Sequence, residues 1–537
     1  MQLLATTTRT LLRGPHRPFS TTLASSEAAK RGLVLGMLSN KLVGAESASL
    51  SAAQQKTLLA QAAALGFAGE AGTAQTVLSD DLQQHIALVG LGTERGGRVE
   101  AQDTTVSEIV RTAVANGVRQ LRARKVGSVA VGPMPHTQAA AEGTRLALYT
   151  FDAFKSGAAG EKGAAVAVSA LGAAGNVSAA GNVSAEWAAG NVCAEAQNLA
   201  RDLTNTPANF LTPTAFAQRV REELAGLDNV QVHVHGREWA EKQRMGGLLT
   251  VAQGSAQALR FVEIAYRGAQ GGVGLGLVGK GVTFDTGGYS LKPGRHMDAM
   301  KGDMGGGAAV VAAVRALAQL RVPLNVVAAV PLCENMISGG AAKVSDVYTA
   351  RSGQTVEVMN TDAEGRLILA DALHYVADVH KPAALVDVAT LTGAMVAALG
   401  ELYTGVFTPS ARLWQLIERA SRAADEPAWR MPLHDSWDAM LASPVADLSN
   451  IGSRSEAGAC TAAAFLRQAV HGPRTGREGA VLRDQNCDEC SPRWAHLDIA
   501  GPMEAAATRG YHVKGMSGRP TRLLIALAQE LARADAS

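Results

Sequence analysis

Gly272-Val-Gly-Leu-Gly-Leu-Val-Gly-Lys280-Gly-Val-Thr-Phe-Asp285-Thr-Gly-Gly288 is an apolar run that ends in charged residues. It reads as a buried parallel strand whose carboxyl end opens onto a crevice, where α/β sheets place their ligands. Gly274-x-Gly276-x-x-Gly279 also matches a dinucleotide fingerprint, and Gly274-x4-Gly279-Lys280 nearly matches a phosphate loop. Both motifs need a helix to follow at once. Here Val282-Thr-Phe-Asp285 continues extended and Gly281 stands where Ser or Thr is required, which disfavours a nucleotide.

Downstream, Asn360-Thr-Asp-Ala-Glu-Gly-Arg-Leu367 sets two carboxylates and a guanidinium at alternate positions. An extended backbone would place Asp362, Glu364 and Arg366 on one face. Such charges are costly to bury unless they bind something. A divalent cation for the carboxylates and an anion for the arginine would satisfy all three. With Asp285, and with Asp303 of Asp303-Met-Gly-Gly-Gly307, four carboxylates are available, and two of them could bridge a pair of cations. Paired cations clamp attacking and leaving oxygens and make hydroxide from water at neutral pH. Lys280 could be a nitrogen ligand only if neutral, a form that burial beside cations favours. The plain alternative is a salt-bridge network in which Lys280, Lys292 and Arg366 neutralise three of the four acids.

The block from Val278 to Leu373, with the eight-residue signature inside it, resembles the leucyl aminopeptidase family of two-metal exopeptidases. The resemblance continues in Glu195-Ala-Gln-Asn-Leu-Ala-Arg-Asp-Leu-Thr-Asn-Thr-Pro-Ala-Asn209, Leu332-Cys-Glu-Asn-Met336 and Trp494-Ala-His-Leu-Asp-Ile-Ala-Gly501. It covers the chain from about residue 31 to about 530. Gly458-Ala-Cys-Thr-Ala-Ala-Ala-Phe-Leu466 and Gly518-Arg-Pro-Thr-Arg522 look like the animal branch of that family.

By motif, the resemblance implies that Lys280, Asp285, Asp303 and Glu364 hold one cation, and that Asp285, Asp362 and Glu364 hold the other. The cations implied are Zn²⁺, with Mn²⁺, Mg²⁺ or Co²⁺ at the exchangeable site. Lys292 would polarise the scissile carbonyl, and Arg366 would hold a bicarbonate that acts as general base. Met300, Thr390, Gly393, Ala500 and Met503 would line the pocket for the N-terminal side chain. The activity implied is release of Leu and similar residues from short peptides, Cys-Gly among them, by a homohexamer built as a dimer of trimers.

The chain has 537 residues, long enough for two domains and a large core. Just under half of them are apolar and few are aromatic, which suits an Ala- and Val-rich α/β enzyme. No run reaches 18 consecutive apolar residues, so no membrane span is expected. The formal charge of +2 is more than accounted for by Arg9, Arg13 and Arg17, and without them it is −1. A nearly neutral body argues against nucleic acid as a partner. Those arginines sit in a hydroxyl-rich, acid-free start that reads as a mitochondrial transit peptide, with Arg17-Pro-Phe-Ser20 resembling a matrix-processing site. A merely solvated tail is the bland reading. The location expected is the mitochondrial matrix, with a cytoplasmic form not excluded. Five scattered cysteines fit a reducing compartment.

The expected architecture is a small N-terminal α/β domain and a larger catalytic α/β domain with a mixed central sheet flanked by helices. The boundaries read as a transit peptide over 1–30, the first domain over 31–185, a linker helix over 186–206 and the catalytic domain over 207–537. Strands are expected at 31–40, 85–93, 128–132 and 324–330, and helices at 106–124, 186–203, 304–320 and 367–377. Ala174-Gly-Asn-Val-Ser-Ala179 is repeated at 180–185 and reads as a loop expansion rather than a solenoid. Residues 472–490 form a long polar insertion, and within it Cys487-Asp-Glu-Cys490 reads as a loop with two free thiols, since one pair cannot complete a zinc site. His233 and His235 read as surface residues of a strand. No Gly-x-Ser-x-Gly elbow occurs. Two rival functions stay open: a non-catalytic structural hexamer and a DNA-binding architectural protein.

Overall fold

The computed structural model describes residues 30–43, 50–79, 84–95, 98–99, 104–156, 166–171, 183–472 and 490–536. The expected transit peptide, most of the Asn-Val-Ser duplication, and the insertion between 472 and 490 lie outside those residues. Two compact units emerge: Met1–Ala194 with Thr508–Val513, and Glu195–Ala507 with Lys514–Ser537.

In the first unit, strands β1 (Arg31–Leu38), β2 (Ala74–Ser79), β3 (Gln84–Gly90), β4 (Ser128–Val131) and β5 (Ala167–Ala170) lie in the order β2–β3–β1–β4–β5. β1 runs parallel to β3 and β4, and β2 forms an antiparallel edge on β3. Helix α1 (Val106–Ala123) begins where the Thr105 hydroxyl accepts the Glu108 N–H at 3.1 Å. Its apolar face, with Val110, Val114, Val118 and Leu121, packs on Val34, Ala87 and Val89 of the sheet. Thr508–Val513 joins this unit from near the other end of the chain. The Tyr511 hydroxyl donates to Glu108 Oε2 at 3.1 Å, and Arg119 donates to the His512 carbonyl at 2.9 Å. No local pattern in the sequence predicts that return.

The second unit is built on a mixed sheet. Its strands are β6 (Val230–His235), β7 (Arg260–Arg267), β8 (Leu275–Gly279), β9 (Gly281–Asp285), β10 (Asn325–Asn335), β11 (Ala384–Ala389), β12 (Thr404–Phe407), β13 (Ala428–Arg430) and β14 (Arg493–Asp498). The order is β13–β12–β14–β11–β8–β10–β7–β6, with β9 continuing beside the end of β10. The five strands β8, β9, β10, β11 and β14 are mutually parallel along their pairings, so their carboxyl ends open at one edge. β6, β7 and β12 add antiparallel pairings on the flanks. Because β9 follows β8 directly, the glycine motifs there make no nucleotide loop.

Helix α2 (Gly305–Gln319) starts against this edge. Its first glycines let backbone meet backbone: a Cβ on Gly306 would lie 1.9 Å from the Val388 carbonyl oxygen, and one on Gly279 would lie 2.5 Å from Gly307 Cα. Helix α3 (Gly365–Tyr375) follows the eight-residue signature. The signature itself is not extended, contrary to the one-face expectation. Asp362 N–H donates to Asn360 Oδ1 at 2.8 Å and Ala363 N–H to the Asn360 carbonyl at 3.2 Å, which closes a turn that leads into the helix. Arg366 therefore lies within the first turn of α3 rather than ahead of it.

The contact at Gly306 has a measurable consequence. Alanine is ordinarily favoured over glycine in a helix by about 0.5–1 kcal/mol. Gly306→Ala should instead destabilise the protein by about 3 kcal/mol, because two backbones must separate. Gly272→Ala, which meets nothing within 4 Å, should stay within about 0.5 kcal/mol of wild type in chemical denaturation.

Candidate metal centre

The carboxyl edge of the parallel strands gathers the charged residues. Lys280 follows β8, Asp285 closes β9, Asp303 precedes α2, and Asp362 and Glu364 sit in the turn before α3. Asp285, Asp303 and Glu364 are buried, and each can offer an oxygen so that all three lie within 4.8 Å of one another.

Two lysines thread the acids. Lys280 Nζ lies 2.7 Å from Asp303 Oδ1 and 2.8 Å from Glu364 Oε1. Lys292 Nζ lies 2.8 Å from Asp285 Oδ2 and 2.5 Å from Asp362 Oδ1. Burial alone would lower Lys280, but the charges of Asp303, Glu364 and Asp285 outweigh it and hold its pKa above the usual lysine value. Lys292 is raised in the same way by Asp285 and Asp362. In this arrangement Lys280 is an ammonium, not the neutral amine a ligand must be, and a divalent cation would have to displace its proton. The carboxylates show the opposite strain. Burial raises Asp303 well above the usual range and, with the Asp285 charge, lifts Glu364 as well. Burial and the Asp285 charge push Asp362 up to about 6.

A salt-bridge network is thus part of the site, but it leaves the donor set unsatisfied. Two lysines face four acids, and buried Asp303 Oδ2 has no hydrogen-bond partner. A surplus of buried negative charge around convergent oxygens fits hard divalent cations. Asp362, with 31% of its side chain exposed, forms the open side of the cluster.

The scaffold around the acids is tightly tied. Asp285 Oδ1 accepts from Gly287 N–H and Asn335 Nδ2, both at 2.8 Å. Asn335 Nδ2 also donates to the Thr361 carbonyl at 3.0 Å. The Thr361 hydroxyl donates to the Gly287 carbonyl at 2.6 Å and accepts the Ser290 N–H at 2.7 Å. Gly287 has φ +85°, and a Cβ there would lie 2.8 Å from Asp362 Oδ1. Asn450 holds the other side of the turn: its Oδ1 accepts from the Met359 and Asn360 N–H groups, and its Nδ2 donates to the Asn360 carbonyl. Asn450 was invisible to motif reading, since no chemistry marks an isolated asparagine about 90 residues away in sequence.

Arg366 follows the acids inside the first turn of α3. Its Nη1 donates to the Asn450 carbonyl at 3.0 Å, and its buried Nε has no hydrogen-bond partner. Burial lowers its pKa to about 10, so it remains a cation at neutral pH. A buried guanidinium with donors to spare, in the first turn of a helix, suits a small anion.

The residues expected to line a side-chain pocket fall on segments around the same edge. Met300, half-buried, lies in the short helical turn Met297–Gly302 before Asp303. Thr390 follows β11 and is tied to the acids: its hydroxyl donates to Asp303 Oδ1 at 2.7 Å, and its carbonyl accepts from Lys280 Nζ at 3.1 Å. Gly393 is exposed at the start of the short helix Gly393–Leu399. Ala500 and Met503 follow β14, and Met503 is buried against Gly305, where a Cβ would lie 1.7 Å from its Cε.

Away from the site, His235 stacks on Trp239 with ring centroids 4.1 Å apart, and His233 is exposed. Cys193, Cys333 and Cys460 are buried and outside any disulfide, whereas Cys490 is disulfide-bonded and not the free thiol expected. Cys487 lies outside the described residues. Among the described residues, no helix is long and apolar enough to cross a membrane.

Two family models match the chain: the catalytic domain of the cytosol aminopeptidase family over residues 198–525 and the N-terminal domain of that family over 34–158. A cytosol aminopeptidase of Xenopus tropicalis is 41% identical, covering 97% of this chain and 98% of its own length. The human cytosol aminopeptidase is 42% identical over 82% of this chain and 80% of its own. Among solved structures, a bottromycin maturation enzyme in complex with Mn superposes with TM-score 0.77 at 35% identity, covering 94% of this chain and all of that one. A tomato leucine aminopeptidase mutant gives TM-score 0.76 at 26% identity, covering 95% of each chain.

The packing under Lys280 is open to a direct test. A Cβ on Gly365 would lie 2.6 Å from Lys280 Cε and 2.9 Å from its Nζ. Gly365→Ala should therefore displace that amine and weaken Mn²⁺ binding about tenfold in calorimetric titration.

Proposed function

The chain belongs to the cytosol aminopeptidase family, and from that premise we propose that it is a two-metal aminopeptidase. It removes N-terminal residues, Leu and similar, from short peptides, Cys-Gly among them. The reading is carried by the buried convergence of Asp285, Asp303 and Glu364 with an unsatisfied oxygen on Asp303. It draws further support from the likeness to a solved leucine aminopeptidase and to an enzyme solved with Mn.

Lys280, Asp285, Asp303 and Glu364 would hold one cation, and Asp285, Asp362 and Glu364 the other. When bound, the cations supply Lewis acidity and a nucleophile from water at neutral pH. The protein's own groups do the rest. Asp362, on the exposed side, leaves an approach for the α-amine of a peptide. Lys292, partly exposed and kept protonated by its acidic neighbours, offers a fixed positive charge where the scissile carbonyl becomes an oxyanion. Arg366 would hold bicarbonate, and with it the general base. Met300, Thr390, Gly393, Ala500 and Met503 would receive the N-terminal side chain.

We further propose a homohexameric assembly, a dimer of trimers, and delivery to the mitochondrial matrix by the first 30 residues. Sedimentation of a stable, active monomer would overturn the assembly. A fluorescent protein fused to residues 1–30 should enter mitochondria, and its staying in the cytosol would overturn the delivery.

Replacement of Lys292 by Ala should lower kcat on leucine amide by about 10²–10³ while KM moves only a few-fold. Near-normal turnover would remove Lys292 from its role. Chelation should abolish hydrolysis and added Mn²⁺ or Co²⁺ should restore it. Failure of every divalent ion to do so would defeat the metal reading.

A further inference from the structure

The carboxylate of Asp498 is fully buried and belongs to no catalytic assignment above. It closes β14 directly beside the end of β11, where Ala389 and Asp498 are register partners. Its oxygens reach into two different loops. Oδ1 accepts the Leu391 N–H at 3.2 Å and the Ala500 N–H at 3.1 Å, and Oδ2 accepts the Thr392 hydroxyl at 2.7 Å. The Thr392 oxygen in turn accepts the Met395 N–H at 3.1 Å and caps the short helix that begins at Gly393. One buried group thus fastens residues 391 and 392 on one side and residue 500 on the other.

These are the two walls assigned to the side-chain pocket, Thr390 with Gly393 and Ala500 with Met503. Thr390 needs no help from Asp498, because Asp303 and Lys280 already hold it. Beyond Thr390 the wall is set by Asp498. Burying a carboxylate is costly, and an apolar residue of similar size would fill the space. What a carboxylate adds is two directed acceptor bonds across to Leu391 and Thr392, beyond the last register pair, and a third to the Ala500 N–H of its own loop.

We propose that Asp498 is the positioning residue that sets the spacing of the two pocket walls, and hence the preference for a branched N-terminal side chain. This rests on the aminopeptidase reading above. Only a side chain long enough to touch both walls senses their separation. A methyl group at that position does not, and the metal-side anchor at Thr390 stays in place without Asp498.

The test compares kcat and KM on leucine amide and alanine amide for wild type, Asp498→Ala, Thr392→Val and Thr392→Ser, with circular dichroism and gel filtration to verify folding. Asp498→Ala should lower kcat/KM for leucine amide about tenfold and leave alanine amide within about twofold. Thr392→Val, which loses one of the three ties, should move the Leu-to-Ala preference in the same direction by a smaller factor. Thr392→Ser, which keeps the hydroxyl, should retain the wild-type preference. If Asp498→Ala does not fold, the Thr392 pair decides alone. Equal losses on both substrates, or an unchanged preference in Thr392→Val, would overturn the proposal. Absence of hydrolysis of either amide by the metal-loaded wild type would instead defeat the aminopeptidase reading itself.

Discussion

Everything at the centre of this molecule follows from charge held out of water. Asp285, Asp303 and Glu364 are buried at the open ends of parallel strands, and Asp362 completes the set at the edge of solvent. Such a cluster is tolerable only if cations stand among the acids. Lys280 and Lys292 supply two, each bridging a different pair of carboxylates. The remaining negative surplus, with Asp303 Oδ2 unpartnered, is the molecule's demand for metal. Burial raises the acids and the acids' charges raise the lysines, so proton and metal compete for one site.

That demand explains the scaffold. Charges this crowded repel, and the chain holds them through uncharged side chains: Asn335 to Asp285, Thr361 to Gly287, and Asn450 to the turn at Asn360. Glycines provide the room. Gly306 and Gly307 bring the start of α2 onto the strand ends, and Gly365 leaves space for the Lys280 amine. Substituting Gly306 would force two backbones apart, and substituting Gly365 would displace the Lys280 amine. Rigidity here keeps the convergent oxygens of Asp285, Asp303 and Glu364 within reach of one another.

The loop after β11 is organised on the same principle with fewer charges. Thr390 is tied to the metal-side acids, while Leu391, Thr392 and Ala500 converge on Asp498. Adjacent residues of one loop are thereby fixed by two different buried carboxylates, Asp303 and Asp498.

What the sequence determined by itself was local and chemical. The apolar run into Lys280 and Asp285 disclosed a buried strand with a reactive end, and the rhythm of Val106–Ala123 disclosed a helix, because hydrophobic period is written residue by residue. The acids and lysines of the centre were legible because few other arrangements make four carboxylates and two amines worth burying. Tertiary structure alone decided the rest. The signature turns rather than extends, since Asn360 caps its own backbone and Asn450 reaches across to hold it. Arg366 enters the first turn of α3 and donates to the Asn450 carbonyl. Asn450, Asp498 and the returning segment at Tyr511 carry no local signal, for they have partners 90, 107 and 403 positions away. Contacts at such separations arise only when the sheet order has brought the strand ends together, and no periodicity along a chain encodes that order.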